Sequence, residues 1–424
     1  MILGLLYLFA EGVSQLLLVP MISKAYGPEK AGLWFVINNF LVLIQIGQAG
    51  LGPAAIRGLA SVAHKPISAF NSEYAKVTHA YRIALGGFLL VLALLTLYIE
   101  KAAGGQESWA TLWLFFAAGL ATRMYAWKWL NAVNALGNVG LDKVIMVSGV
   151  LLSTSAYITI LNFGMSISIL GIAYGCLGLI HVFLCWILYS IILSKHRKTA
   201  TASTFTTEEE STETSTHYLA LAFPFVILNV SGFFVMNFDV IVAERLFGAA
   251  ILPHYFVLAK LGLLLLSVAT LYQQMSYPFV AAAWSQGRFT EASKLYRRGL
   301  KVSLGVAVSG AAVMLLAAPY VIPLWLGPGA YLGFEVFAAQ LLFVIVSAHT
   351  IAHAVPALAT SQVSFVDLAI ISAVLSVPMT FGLGIWLGLA GIGLGGVFAT
   401  LLPSYVHAIR ARQIFRNQTH FLSP

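Results

Sequence analysis

The sequence sets a small number of ionisable and amide side chains inside long apolar runs, and its chemistry must lie with them. Arg123 and Lys128 interrupt one such run and Lys260 another, while Glu11 and Asp239 are the acidic counterparts. A charge at the centre of a membrane-spanning helix costs about 2.5–3.5 kcal/mol on insertion scales, so it faces a wet cavity, a partner or an interface. Arg123 and Lys260 are expected to line such a cavity. Lys128 shares the helix of Arg123 but is turned from it by about 140°, and either joins the cavity or snorkels to an interface. Glu11 either forms a buried ion pair with Arg123 or Lys260, or joins Asp239 as a carboxylate that takes a coupling proton or sodium ion.

The amides fall into stripes. Asn38, Gln45 and Gln48 recur at i, i+7 and i+10, and Arg123, Trp127, Asn131 and Asn134 at i, i+4, i+8 and i+11. Asn229, Asn237 and Glu244 share one arc from which Asp239 is excluded, and Lys260, Ser267 and Gln274 recur every seven residues. Such stripes either glue helices together or line a polar cavity. On the second reading Asn38, Gln45, Asn131, Asn237 and Gln274 would meet a polar substrate. Glu244 is expected in the outer headgroup layer beside Arg245. His349 and His353, at i and i+4 with Pro356 on the same side, suit helix packing or a proton relay, and two histidines alone make a poor metal site. Arg57 follows the second apolar run and would meet phospholipid or an incoming anionic group. Cys176 and Cys185 are nine residues apart and point to opposite sides of one helix, so neither a disulfide nor a metal site is expected. There is no Walker A sequence, no GxSxG and no HExxH; no catalytic residue and no enzymatic activity are expected.

These side chains need elements that cross a bilayer. The 424 residues are 60% apolar and only 9% charged, with a mean hydropathy of +0.90. Soluble domains carry about 25% charged residues, so a water-soluble enzyme, a nucleic-acid binder and a disordered chain are all excluded. Apolar windows of about 20 residues, each long enough to span as a helix, predict twelve spans. They cover about 2–23, 32–53, 82–99, 109–132, 143–162 and 168–193, then 219–243, 251–277, 301–325, 331–357, 364–386 and 389–408. The expected class is an all-α polytopic membrane protein, its twelve helices in two pseudo-symmetric six-helix lobes around a central cavity. With the N-terminus inside, 16 of the 23 Lys and Arg residues fall in inner loops and only Lys24, Lys30, Lys101 and Arg245 in outer ones. The positive-inside rule therefore puts both termini in the cytoplasm. The N-terminus enters its apolar run without a basic lead, which argues against a cleavable signal peptide.

The stretch His196–His217 is Thr-rich and acidic at its centre, with too little apolar surface to fold. It is expected to be a flexible cytoplasmic linker (195–217) between an N-terminal lobe (1–194) and a C-terminal lobe (218–408), with 409–424 a cytoplasmic tail. The lobes look duplicated. Ser23–Trp34 aligns with Glu244–Tyr255 at an offset of 221, and Gly171–Gly175 with Gly391–Gly395 at 220. Six spans per copy make the repeats parallel, the layout of transporters whose cavity lies between two bundles. Residues 54–81 and 279–300 are both basic and amphipathic, and each is expected to be a loop helix, either merely solvated or lying on the inner leaflet. Aromatic Phe279, Trp284, Phe289 and Tyr296 favour the second. Gly47–Pro53 ends the second span as a helix terminator or a hinge.

The run Val19–Ala60 resembles the start of bacterial polysaccharide flippases. The marks are Tyr26-Gly27-Pro28, Gly32-Leu33-Trp34, Gly50-Leu51-Gly52 and Arg57. These proteins share a superfamily with multidrug and toxic compound extruders and with lipid II flippases. One departure is that the chain begins almost inside its first span, where such proteins have a short polar lead. The resemblance implies a substrate, an undecaprenyl-diphosphate-linked oligosaccharide of the O-antigen type, moved from the inner to the outer leaflet of the bacterial inner membrane. It implies alternating access by rocking lobes, no cofactor beyond proton, sodium or membrane-potential coupling, and anionic phospholipid around the protein. A polysaccharide polymerase and a chain-length regulator are the protein partners it allows, and nucleic acid is none. A hydrated cavity would replace the sugar hydroxyls' hydrogen bonds, each costly to break in hydrocarbon, and on this resemblance Arg123 and Lys260 would supply the cations for the diphosphate, Arg by bidentate contact and Lys as a point charge. The rivals are a cation-coupled multidrug extruder, which predicts a cavity poor in cations, and a membrane polymerase or glycosyltransferase. A polymerase is expected to carry a large outer loop, and no such loop is present.

Overall fold

A computed structural model describes residues 2–48, 50–63, 65–102, 107–138, 140–200, 215–360 and 366–420. All regular structure among them is helical: α1 (Ile2–Tyr26), α2 (Pro28–Asn39), α3 (Val42–Gln48), α4 (Leu51–Val62), α5 (Ile67–Ala102), α6 (Glu107–Ala135), α7 (Leu141–Asn162) and α8 (Ser168–Ala200). Then follow α9 (Ser215–Met236), α10 (Phe238–Phe247), a 3-10 turn (Ala249–Ile251), α11 (Leu252–Ser285), α12 (Phe289–Leu326), α13 (Phe334–Thr360) and α14 (Val366–His420). At 1.5 Å per residue the longer helices outreach a hydrocarbon core of about 30 Å. Their outward surfaces are oily: Leu97 is 67% exposed, Leu316 75% and Trp386 79%. Water would not tolerate that girdle, and lipid does; the chain is a multi-pass membrane protein.

The twelve expected spans are all helical, with three changes of detail. The second is broken at Phe40–Leu41 into α2 and α3. The seventh is broken at Asn237 into α9 and α10. The last two form the single element α14, bent only at Gly388, whose φ of 67° and ψ of −150° suit a residue without a Cβ. Residues 201–214, the centre of the expected linker, lie outside the described residues. The flanking helices run further into that stretch than expected, α8 to Ala200 and α9 from Ser215.

The two basic segments differ from each other. In 54–81, α4 buries Leu51, Ala54, Ala55, Leu59 and Val62 on one face and presents Arg57 on the other, and α5 then begins at Ile67 and runs on into the third span. In 279–300 there is no separate loop helix. α11 turns directly into α12 at Gln286–Arg288, and Trp284 and Tyr296 pack with Val355, Ala411 and Phe415 in a small core. Of the four aromatics expected at a lipid surface, only Phe279 is fully exposed, at 67%; the others had partners on α12, α13 and α14 that local sequence does not reveal.

The chain divides into two compact units, Met1–Asn229 and Val230–Pro424. In the first, α6 and α8 cross closely because Gly171 and Gly175 meet α6 backbone; a methyl on Gly175 would stand 2.8 Å from the Phe115 carbonyl oxygen. At one end Tyr26 donates to the Met165 carbonyl at 2.9 Å. In another part of the unit Tyr218 donates to buried Glu73, which also takes Lys76 at 3.1 Å. In the second unit the glycines that close on the neighbouring span are Gly393 on Ala339 and Gly396 on Phe343. Gly391 and Gly395, aligned with Gly171 and Gly175 from sequence, instead close on Leu383 and Thr380 of the preceding half of α14. The repeat is therefore shifted by one or two residues there. At the other match it is close: Gly27 has φ 80° and ψ 165°, and Gly248 has φ 82° and ψ 165°. Their N–H groups donate to Ser23 and Glu244, themselves an aligned pair.

Candidate functional site

Each unit holds a polar cluster around one of the expected charged residues. In the first, α6 supplies Arg123 and α8 supplies Tyr174. Gly119, one turn before Arg123, leaves a gap that the Tyr174 ring fills; a methyl there would stand 2.6 Å from Tyr174 Cδ1. The ring stacks on Phe116 at 4.4 Å and carries the Arg123 guanidinium 4.0 Å from its centroid. A cation over an aromatic face is held electrostatically without using its N–H donors. Arg123 Nε is buried with no hydrogen-bond partner, as is Asn134 Oδ1 on the same helix, and the buried Tyr174 hydroxyl has the Arg123 guanidinium within reach. Buried polar atoms are nearly always paired, so such orphans mark where a ligand or water belongs.

Around this cation stand Tyr157 of α7 and His181 of α8, both of which feel its charge. From α1, Glu11 is within hydrogen-bonding reach of Tyr7 and acts electrostatically on Tyr174. α1 is held against α7 by a Ser14–Thr154 hydroxyl pair. Glu11 and Arg123 thus share tyrosine neighbours, and the described residues show no direct ion pair between them.

The other expected residues of this unit are placed differently. Lys128 is 6% exposed, with its ammonium 3.8 Å from the Tyr125 ring and 4.4 Å from that of Trp129. Asn131 is 2% exposed, lies against Gly52 and donates to Tyr81 at 2.7 Å, tying α6 to α4 and α5. Asn38 is half-buried in α2, and Arg57 is exposed on α4. The side chain of Gln45 lies outside the described residues, as does that of Gln274 in the second unit.

The second unit centres on Asp239, in the first turn of α10 just after the break at Asn237. That helix start favours a carboxylate by its dipole. Asp239 Oδ1 accepts the Val240 N–H at 2.9 Å, and Oδ2 accepts Tyr255 at 3.0 Å and Gln340 Nε2 at 3.4 Å. Gln340 also donates to the Tyr255 hydroxyl. Lys260 of α11 acts electrostatically on Asp239, with its ammonium 4.8 Å from the Phe256 ring. Ser376 of α14 donates to the Phe234 carbonyl at 2.8 Å, satisfying an acceptor next to the helix break. Asn237 supplies that break rather than a side-chain cap. Glu244 pairs with Arg245 at 3.6 Å.

Tyr174, Tyr157, Tyr7 and Gln340 were missed by sequence reading. Gln340, a lone amide in an apolar span, carried a signal; the tyrosines are indistinguishable there from core aromatics. Cys176 is exposed and Cys185 buried, both free.

The fold can be set against solved structures. A MATE in the bent conformation aligns over 99% of this chain and 93% of its own, with TM-score 0.65 and 16% identity. The fold is that of the MATE transporters. An inward-facing multidrug resistance MATE family transporter of the MOP superfamily gives 0.64 over 99% and 96% at 17% identity. A mutant of the Vibrio cholerae MATE transporter VcmN gives 0.65 over 98% and 96%, also at 17%. No protein-family model and no curated protein matches the sequence. At these identities the likeness establishes architecture, and the MATE fold leaves the cargo to be argued from the two clusters.

Proposed function

We propose that this chain is a membrane transporter that works by alternating access, exporting an amphipathic molecule across the inner membrane against a cation gradient. The full-length MATE fold and its multidrug neighbours support a cation-coupled extruder. The observation that carries this reading is the Asp239 cluster. A carboxylate at a helix start, held by a hydroxyl and an amide with an ammonium acting on it, can exchange those partners for a proton or sodium ion. Asp239 is then the coupling carboxylate, with Lys260 its alternative partner, and Glu11 a second acid in the other unit.

One observation favours a second cargo. Arg123, with an unpaired Nε beside a buried tyrosine hydroxyl, suits an anionic headgroup and not a lipophilic cation. On this reading the cargo is an undecaprenyl-diphosphate-linked oligosaccharide, Arg123 meets the diphosphate, and a polymerase and chain-length regulator receive the product. The residues around Val19–Ala60 point the same way. Both readings put the termini in the cytoplasm and neither makes the chain an enzyme.

Two strains decide. An extruder protects efflux-deficient cells from lipophilic cations, and Asp239→Asn removes the protection while the protein still reaches the membrane. A flippase gives no protection; its deletion makes the lipid-linked saccharide accumulate in the inner leaflet, and Arg123→Ala fails to relieve that. A chain that does neither is not the proposed transporter.

A further inference from the structure

A third polar group lies apart from both clusters, where α12, α13 and α14 meet. His349 Nδ1 is 2.7 Å from Ser404 Oγ, His349 Nε2 is 3.0 Å from His353 Nε2, and His353 Nδ1 meets the Tyr296 hydroxyl. The four groups form an unbroken line from α14 through α13 to α12. Ser404, His353 and Tyr296 are 4%, 5% and 7% exposed, so the line is shielded for most of its length. Tyr296 is further fixed by stacking on Phe415 at 5.4 Å.

We propose that Ser404, His349, His353 and Tyr296 form a proton relay that stores one proton and no more. A neutral imidazole carries one N–H and one bare nitrogen, so the line is satisfied in either of two polarities. In the first, Ser404 donates to His349 Nδ1, His349 Nε2–H to His353 Nε2, and His353 Nδ1–H to Tyr296. In the second every donor and acceptor is reversed. Passage of a proton converts one into the other. The incoming proton binds Ser404 Oγ as its O–H proton moves to His349 Nδ1. The His349 Nε2 proton then moves to His353 Nε2, the His353 Nδ1 proton moves to Tyr296 Oη, and the original Tyr296 proton leaves. Each O–H or N–H bond broken is replaced, and one proton enters for each that departs.

The line also holds one surplus proton without losing a contact. His349 as imidazolium donates to Ser404 and to His353, which stays neutral and donates to Tyr296. A second surplus proton would set two N–H groups against each other across the 3.0 Å contact. The charged surroundings enforce the same limit. From α14, Arg412 acts on both histidines and His407 on His353, and from α12 Arg297 acts on Tyr296. Among the described residues α11, packed on α13, brings no charged group to act on either imidazole. Every facing charge is thus a cation or can become one. No metal explains the pair, since no cluster of three ligands exists among the described residues.

As the route of the coupling proton, the relay rests on the transporter reading; as a one-proton store it does not, and the experiment separates the two. The full chain, labelled with 15N-histidine and reconstituted in lipid nanodiscs, is titrated by NMR between pH 8 and 5. The relay predicts that only one of His349 and His353 becomes imidazolium. It also predicts that His349→Asn raises the proton affinity of His353 about 10-fold, the scale on which coupled sites shift one another. Tyr296→Phe, which keeps the stack on Phe415, should change the tautomer of His353. Two imidazoliums over that range or none, or a His353 titration indifferent to His349→Asn and a tautomer indifferent to Tyr296→Phe, would overturn the proposal. A wild-type protein that titrates as expected, yet carries no proton into proteoliposomes as substrate leaves, confirms the store and sinks the coupling.

Discussion

The two units use one scaffold for opposite charges. Gly27 and Gly248 share their dihedrals and their N–H acceptors, which fixes the offset of 221 at this part of the repeat. Under that offset Asp239, Tyr255 and Lys260 correspond to Leu18, Trp34 and Asn39. The second unit therefore has a carboxylate and a hydroxyl where the first has an apolar core, in which Trp34 packs edge-on against Phe116 and Tyr157 at 5.9 and 5.7 Å. The first unit places its charge elsewhere, at Arg123 on the Tyr174 ring. The two units share the turn at Gly27 and Gly248 and differ in where their charge sits, a guanidinium on a tyrosine ring in one and a carboxylate at a helix start in the other.

The largest expected effect breaks the cationic side. On the anionic-cargo reading, Arg123→Ala should lower affinity for the lipid-linked diphosphate about 10- to 100-fold, the worth of one or two charge-assisted hydrogen bonds, with normal insertion. Arg123→Lys should recover only part, because an ammonium lacks the planar fork. Binding measured on purified protein reads both, and unchanged affinity in Arg123→Ala would remove the cation from the comparison. Next comes Gly119→Ala. Its methyl displaces Tyr174 from beneath Arg123, so affinity should fall as for Arg123→Ala while overpacking lowers stability by about 1–3 kcal/mol, seen as a reduced melting temperature.

Exchanging the matched aromatics sharpens the contrast. Trp34→Tyr introduces a hydroxyl into the apolar packing of Phe116 and Tyr157, with Leu18 at the position aligned with Asp239, and should cost about 1–3 kcal/mol without altering substrate affinity. Equal stability would mean that the first unit still has room for the second unit's chemistry. Tyr255→Phe is the mildest. It removes one donor from Asp239 and leaves Gln340, so a stability loss of about 0.5–1.5 kcal/mol is expected, with the cation dependence of transport changed more than its maximal rate.

Much of the architecture was legible because hydropathy alone selects spans. The breaks at Phe40–Leu41 and Asn237 were not, since nothing in their apolar runs punctuates like proline. Gly27 and Gly248 were legible as a repeat because a positive φ leaves a glycine in both copies. The Gly391–Gly395 alignment failed because small residues recur there so densely that several registers match, and only contacts with Ala339 and Phe343 separate them. Arg123, Lys260, Glu11 and Asp239 stood out because charge in an apolar span is conspicuous. What the sequence could not supply was company: Arg123 lies on the Tyr174 ring, and Lys260 acts on the acid Asp239. Tyr174 gains its meaning only from a gap at Gly119 on another helix.

The bend at Gly388 has a practical outcome. The last two spans meet at one residue, so that corner offers no loop for a protease to cut, an antibody to grip or an epitope tag to occupy. Whatever travel these rods make must be absorbed by the torsions of a single joint, flanked by Trp386 and Leu387 facing outward. Any side chain bulkier than hydrogen placed on that pin would stiffen it.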